Sequence, residues 1–85
     1  MDILHMLNQP QQLQQCLAVL GRTDALLLCG DATYAVSGLP QLSAPVYVLA
    51  EDAQARALVL PDPVRLVDYA GFVRLCVEYK QVLAW

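Results

Sequence analysis

The stretch Asp24-Ala25-Leu26-Leu27-Leu28-Cys29-Gly30-Asp31 decides the fold. Five apolar residues run without a polar interruption and stop at a Gly-Asp turn. A short apolar run closed by turn residues is the pattern of a strand buried on both faces. Such strands belong to parallel sheets covered by helices on both sides. Sites in open α/β sheets lie beyond the carboxyl ends of the strands. That rule directs attention to Cys29 and Asp31, at the end of this strand.

Strand and helix signals alternate on either side of this segment. Ile3 to Leu7 reads as a first strand, broken by Asn8-Gln9-Pro10. Asn8 can accept from free helix N–H groups, and Pro10 suits a first helical turn. Leu13, Cys16, Leu17 and Leu20 then form the i, i+3, i+4, i+7 stripe of an amphipathic helix, with glutamines on the wet side. Gly21 is placed to end it. After the central strand, Asp31 to Val36 reads as a short helix capped by Asp31 and stopped by Gly38. Val46 to Leu49 is a third strand, β-branched and aromatic. Glu51 to Leu58 is a helix with acidic residues in its first turn. Val64 to Val67 is a fourth strand. Asp68 can cap a last helix from Tyr69 to about Tyr79, leaving Val82 to Trp85 as a short apolar tail. Strand–helix repeated four times predicts a four-stranded, mainly parallel sheet with helices on both faces. The expected strand order has the first strand between the second and the third.

At 85 residues the chain has room for one domain, residues 1–85. A core this small is marginal. Yet 58% of the residues are hydrophobic and only 15% charged, where about 25% charged is usual. More apolar side chains are present than one small core can hide, and the excess points to a partner surface. The net charge of -3 argues against a nucleic-acid backbone as direct partner. The start Met1-Asp2-Ile3-Leu4-His5 lacks the basic region of a secretory signal, and no apolar run approaches the ~20 residues of a membrane span. A cytoplasmic location is the expectation. Three widely spaced cysteines form neither a disulfide framework nor a zinc site, and free thiols fit a reducing compartment.

Few residues offer chemistry. Cys16 sits beyond the first turn of its helix among Gln and Leu, with no cation to lower its pKa, and reads as a small buried hydrophobe. Cys29 lies beside Asp31, whose charge opposes thiolate formation. Cys76 falls on the apolar stripe of the last helix. His5, the single histidine, has no Ser, Cys or Asp at a motif spacing and reads as a satisfied ring at a sheet edge or interface. Asp31 and Asp68 follow strands, as in a Mg²⁺-dependent phosphoacceptor, but helix capping explains both. No G-x-G-x-x-G or P-loop is present, so no cofactor or metal is expected.

A family resemblance completes this reading. Val67-Asp68-Tyr69-Ala70-Gly71-Phe72-Val73-Arg74-Leu75, with the closing Ala84-Trp85, resembles the C-terminal signature of the TusB/DsrH family. Ile3-Leu4-His5 with Asn8 and Pro10 resembles its opening. Asp24 to Asp31 matches its central strand. Tyr47-Val48-Leu49 with Glu51-Asp52, Ala55-Arg56 and Leu58 matches its third strand and following helix. The likeness covers essentially the whole chain, with Ala57 where a glycine is common and with short loops before Val46 and Val64.

The resemblance implies a DsrE-like α/β fold and an accessory, mainly structural role in a sulfurtransferase complex. TusC/DsrF-like and TusD/DsrE-like subunits would be its partners in a dimer of heterotrimers, with a TusE/DsrC-like protein as sulfur acceptor. In the Tus branch the complex relays persulfide sulfur toward 2-thiouridine at the tRNA wobble position. In the Dsr branch it serves sulfur oxidation, and Cys16 falls where Dsr-type chains carry a cysteine. Cys16 is therefore the candidate persulfide carrier, if this subunit has one. A homo-oligomeric binding module without sulfur chemistry is the further alternative. Phe72, Tyr79 and Trp85 are the candidate interface residues, expected to be buried in the core or against a partner.

Overall fold

In the computed structural model, which describes residues 2–85, five strands form one parallel sheet. The chain runs through β1 (Ile3–Leu7), a 3₁₀ turn (Pro10–Gln12), α1 (Leu13–Val19) and β2 (Ala25–Leu28). A 3₁₀ helix (Gly30–Gly38) follows, then β3 (Val46–Leu49), α2 (Ala50–Ala55), β4 (Arg65–Val67), α3 (Tyr69–Glu78) and β5 (Gln81–Ala84).

The strand order is β4-β3-β2-β1-β5. Two expectations are corrected here. The sheet has five strands, because the apolar tail pairs in parallel with β1, Leu4 beside Val82 and Met6 beside Ala84. Only Tyr79 and Lys80 separate α3 from β5, so no Gly or Pro marks the turn. The first strand lies between β2 and β5, and β2 takes the place between β1 and β3. The expected α/β class, with a parallel sheet and helices, stands.

The order explains how the helices are distributed. From β1 to β4 each connection steps the same way across the sheet. Crossovers of one hand therefore place their helices on one face. The step from β4 to β5 returns across the whole sheet, which puts α3 on the other face. Two clusters match this division. Leu7, Leu26, Leu28 and Val48 pack with Cys16 of α1, Val36 of the 3₁₀ helix and Ala53 of α2. Leu4, Leu27 and Leu49 pack with Leu75 of α3. Every residue of β2 is fully buried, as its unbroken apolar run requires.

Local signals held unevenly. Asp68 caps α3 by accepting from the Gly71 N–H at 2.8 Å. Asp31 does not cap: the Gly30–Gly38 helix starts from Cys29 with no side-chain cap, and Asp31 accepts instead from Arg56. Asn8 makes no cap either, since the first turn begins after Gln9. Gly30 takes φ +54°, a conformation glycine adopts without penalty.

Candidate functional site

The thiols were the first candidates. Cys16 is 0% exposed, enclosed in the cluster beneath α1, and burial pushes its thiol up to about 11. Cys29 is also buried, at the carboxyl end of β2. Burial, then the charge of Asp52, then Cys76 push it up to about 11. The thiolate is the reactive form, so both residues sit in surroundings that suppress reactivity. Cys76 is half-buried on α3. All three cysteines are free.

The mouth of the sheet is occupied by a polar clamp. Asp52, in the first turn of α2, accepts from the Gly30 N–H at 2.7 Å. Arg56 donates from Nη2 to Asp31 Oδ1 at 2.8 Å and from Nη1 to the Asp52 carbonyl at 3.1 Å. Its guanidinium also lies 5.6 Å from the centre of the Tyr34 ring. These contacts tie the β2 and β3 exits together. Among the described residues no three His, Cys, Asp or Glu side chains converge as a metal site.

His5 is 1% exposed and lies on an internal strand, not a sheet edge. Its Nε2 is 3.0 Å from Asp24 Oδ2, and Trp85 Nε1 donates to its Nδ1 at 3.2 Å. An indole N–H can only donate. Nδ1 must therefore accept, and the proton sits on Nε2, facing Asp24. Asp24, 3% exposed, also accepts from the Ile3 and Gly21 N–H groups. Burial would raise its carboxyl, but those two N–H groups and the His5 ring outweigh burial and hold it below the usual carboxylate range. The indole stacks beside the imidazole, ring centres 6.2 Å apart. Trp85 also donates its backbone N–H to Met6 O at 2.8 Å, and its carbonyl accepts from Asn8. The chain therefore fills the point beside β1 where strand order reverses, the usual place for a ligand crevice. This group was hidden in the sequence because its members stand 19 and 80 residues apart. In the sequence Asp24 only flanks the central strand and Trp85 only closes the apolar tail.

Apolar surface remains as the feature available to other molecules. Phe72 and Tyr79 are half-buried against the sheet, and Trp85 is half-buried over His5. Beside them stand large apolar residues that water reaches: Tyr69, Val73 and Val77 of α3, and Val82 and Leu83 of β5.

A small parallel α/β protein with buried or half-buried thiols and open apolar residues on α3 and β5 is the class this geometry defines. The fold is similar to the crystal structure of the ychN protein from E. coli, with a TM-score of 0.74, 17% identity, and coverage of 99% of this chain and 98% of that one. A family profile described as DsrH like protein matches residues 8–82. The chain belongs to the TusB/DsrH family. It is similar to Protein TusB of Salmonella dublin, Salmonella enteritidis and Salmonella arizonae. Each is 42% identical over 78 residues, spanning 81% of this chain and 82% of its own length.

Proposed function

We propose that this chain is a TusB-type subunit of a sulfur-relay complex that serves 2-thiouridine formation at the tRNA wobble position, and that it contributes surface and not a sulfur-carrying thiol. The likeness to Protein TusB, 42% identical over four-fifths of either chain, carries the reading. Its partners in this reading are TusC/DsrF-like and TusD/DsrE-like subunits in a dimer of heterotrimers, with a TusE/DsrC-like acceptor, in the cytoplasm. The physical support is the open apolar surface of a chain only 15% charged. Phe72, Tyr79 and Trp85 serve assembly from beneath, by seating α3 and β5 so that their outer residues meet partners.

A role for Cys16 as persulfide carrier, as in a sulfur-oxidation complex, finds no support in its surroundings. Sulfur transfer needs an accessible thiolate, and Cys16 is enclosed and held protonated. Affinity capture of the tagged chain from its native organism tests the proposal. Two sulfur-relay subunits are expected in fixed stoichiometry. Recovery of the chain alone, or only with itself, contradicts it.

A further inference from the structure

β5 is held by little. Each residue from Gln81 to Ala84 is exposed, and the strand pairs on one side alone, with β1. The side chain of this segment that packs inward is Trp85, half-buried against the cluster beneath α1. Its indole Nε1–H donates to Nδ1 of His5 at 3.2 Å. The chain has one histidine and one tryptophan, and the fold brings them into contact. An edge strand anchored by a single ring depends on what that ring touches.

We propose that His5 and Trp85 form a proton-sensitive latch, in which protonation of His5 expels the indole and loosens β5 from β1. In the neutral ring Nδ1 accepts and Nε2 donates. A protonated imidazole carries N–H on both nitrogens, so two donors would meet at 3.2 Å. One contact has to yield, and the charges decide which. Asp24 is held as a carboxylate by the N–H groups of Ile3 and Gly21, and its Oδ2 lies 3.0 Å from Nε2. Protonation makes that contact a charge-assisted bond, about twice as strong as a neutral one. The indole bond is neutral and loses its acceptor. The other elements around His5 do not alter this balance. Leu26 and Leu83 flank it in the sheet, and the 3₁₀ turn Pro10–Gln12 has no titratable group. α1 brings the thiol of Cys16, pushed up to about 11 by burial and therefore neutral. On the α3 side the Tyr79 phenol is raised, first by burial and then by Tyr47, Glu78, Asp2 and Asp24, and stays neutral too. Arg22, beside Gly21, is exposed. Trp85 also donates its backbone N–H to Met6 and accepts from Asn8, so a displaced indole pulls on the ladder that holds β5. The inference concerns this chain alone and stands apart from the sulfur chemistry.

Tryptophan emission and NMR of the full chain, with any subunits that co-purify, test it. Between about pH 8 and pH 5, where histidine changes charge, emission should move to longer wavelength in one single-proton step. The His5 ring protons should titrate at the same midpoint. Below it the Trp85 backbone N–H should lose protection from hydrogen exchange. His5→Gln cannot gain a proton in this range and should show no step. Two variants should move the ring titration in opposite directions. Trp85→Phe removes the donor that opposes protonation and should raise the midpoint, and Asp24→Asn removes the counter-charge and should lower it. Circular dichroism checks folding. If a variant does not fold, the coincidence of emission, ring titration and exchange in wild type decides the matter. Four results would overturn the proposal: a ring that titrates while emission stays flat, a ring that stays neutral down to about pH 5, a step that persists in His5→Gln, or variant midpoints that do not part in these directions.

Discussion

Trp85 donates to His5, His5 donates to Asp24, and Asp24 accepts twice more from backbone N–H groups. Each member is satisfied only while the others stay in place. Hydrogen bonds to a charged group contribute about 1.5–3 kcal/mol each, and a stranded buried group costs a similar amount. Asp24→Asn should therefore lower unfolding stability by roughly 3 kcal/mol near neutral pH, as read from urea transitions. The acid limb gives a second signature. Asp24 has its folded pKa lowered, so its contribution is complete above the ordinary value of about 3.9 and is lost as pH falls through the lowered one. The variant should show a shallower loss of stability below about pH 4. An unchanged acid limb would mean that Asp24 is not the residue titrating there. Trp85→Phe keeps an aromatic side chain but removes the donor, leaving Nδ1 of His5 unpaired. A cost of about 1–3 kcal/mol is expected, and no cost would show that the indole N–H has another role.

At the level of elements, the central strand was the most legible feature. Ala25 to Leu28 cannot be solvated on either face, and the structure buries all of it. Asp68 was legible for a local reason: a carboxylate just before a helix meets free N–H groups. Asp31 carried the same local signal and failed, because Arg56, 25 residues away, competes for it. β5 was illegible because pairing with β1 is a long-range event that Val82 to Trp85 does not announce. The end of α2 adds a case where local chemistry works against the backbone. Leu58 N–H bonds to Ala53 O at 3.0 Å and Ala57 N–H to Gln54 O at 3.1 Å, with Ala57 at φ +53°. This is the Schellman ending that favours glycine at the left-handed position. A left-handed alanine costs about 1–2 kcal/mol, part of which glycine returns as chain entropy. Ala57→Gly should therefore stabilise the chain by about 0.5–1 kcal/mol in thermal melts, and a destabilised variant would contradict the assigned backbone. Deleting Ala84 and Trp85 removes the last residue of β5 and the His5 partner, and should weaken assembly in co-purification. Unchanged assembly would show that β5 supports no interface.

At the scale of the molecule, composition and topology converge. The excess of apolar residues could be read from the sequence, but its location could not. Location depends on which crossovers share a face, and the return from β4 to β5 leaves α3 alone on its side of the sheet. The same geometry buries Cys16 and Cys29 while it leaves Val73 and Val77 open. Both features support the proposed role in assembly over that of a sulfur carrier. The most direct test is intact-mass spectrometry of the assembled complex after loading with a persulfide donor. This chain should retain its unmodified mass while a partner subunit gains the mass of a sulfur atom. A sulfur adduct on this chain, mapped to Cys16, would contradict the reading.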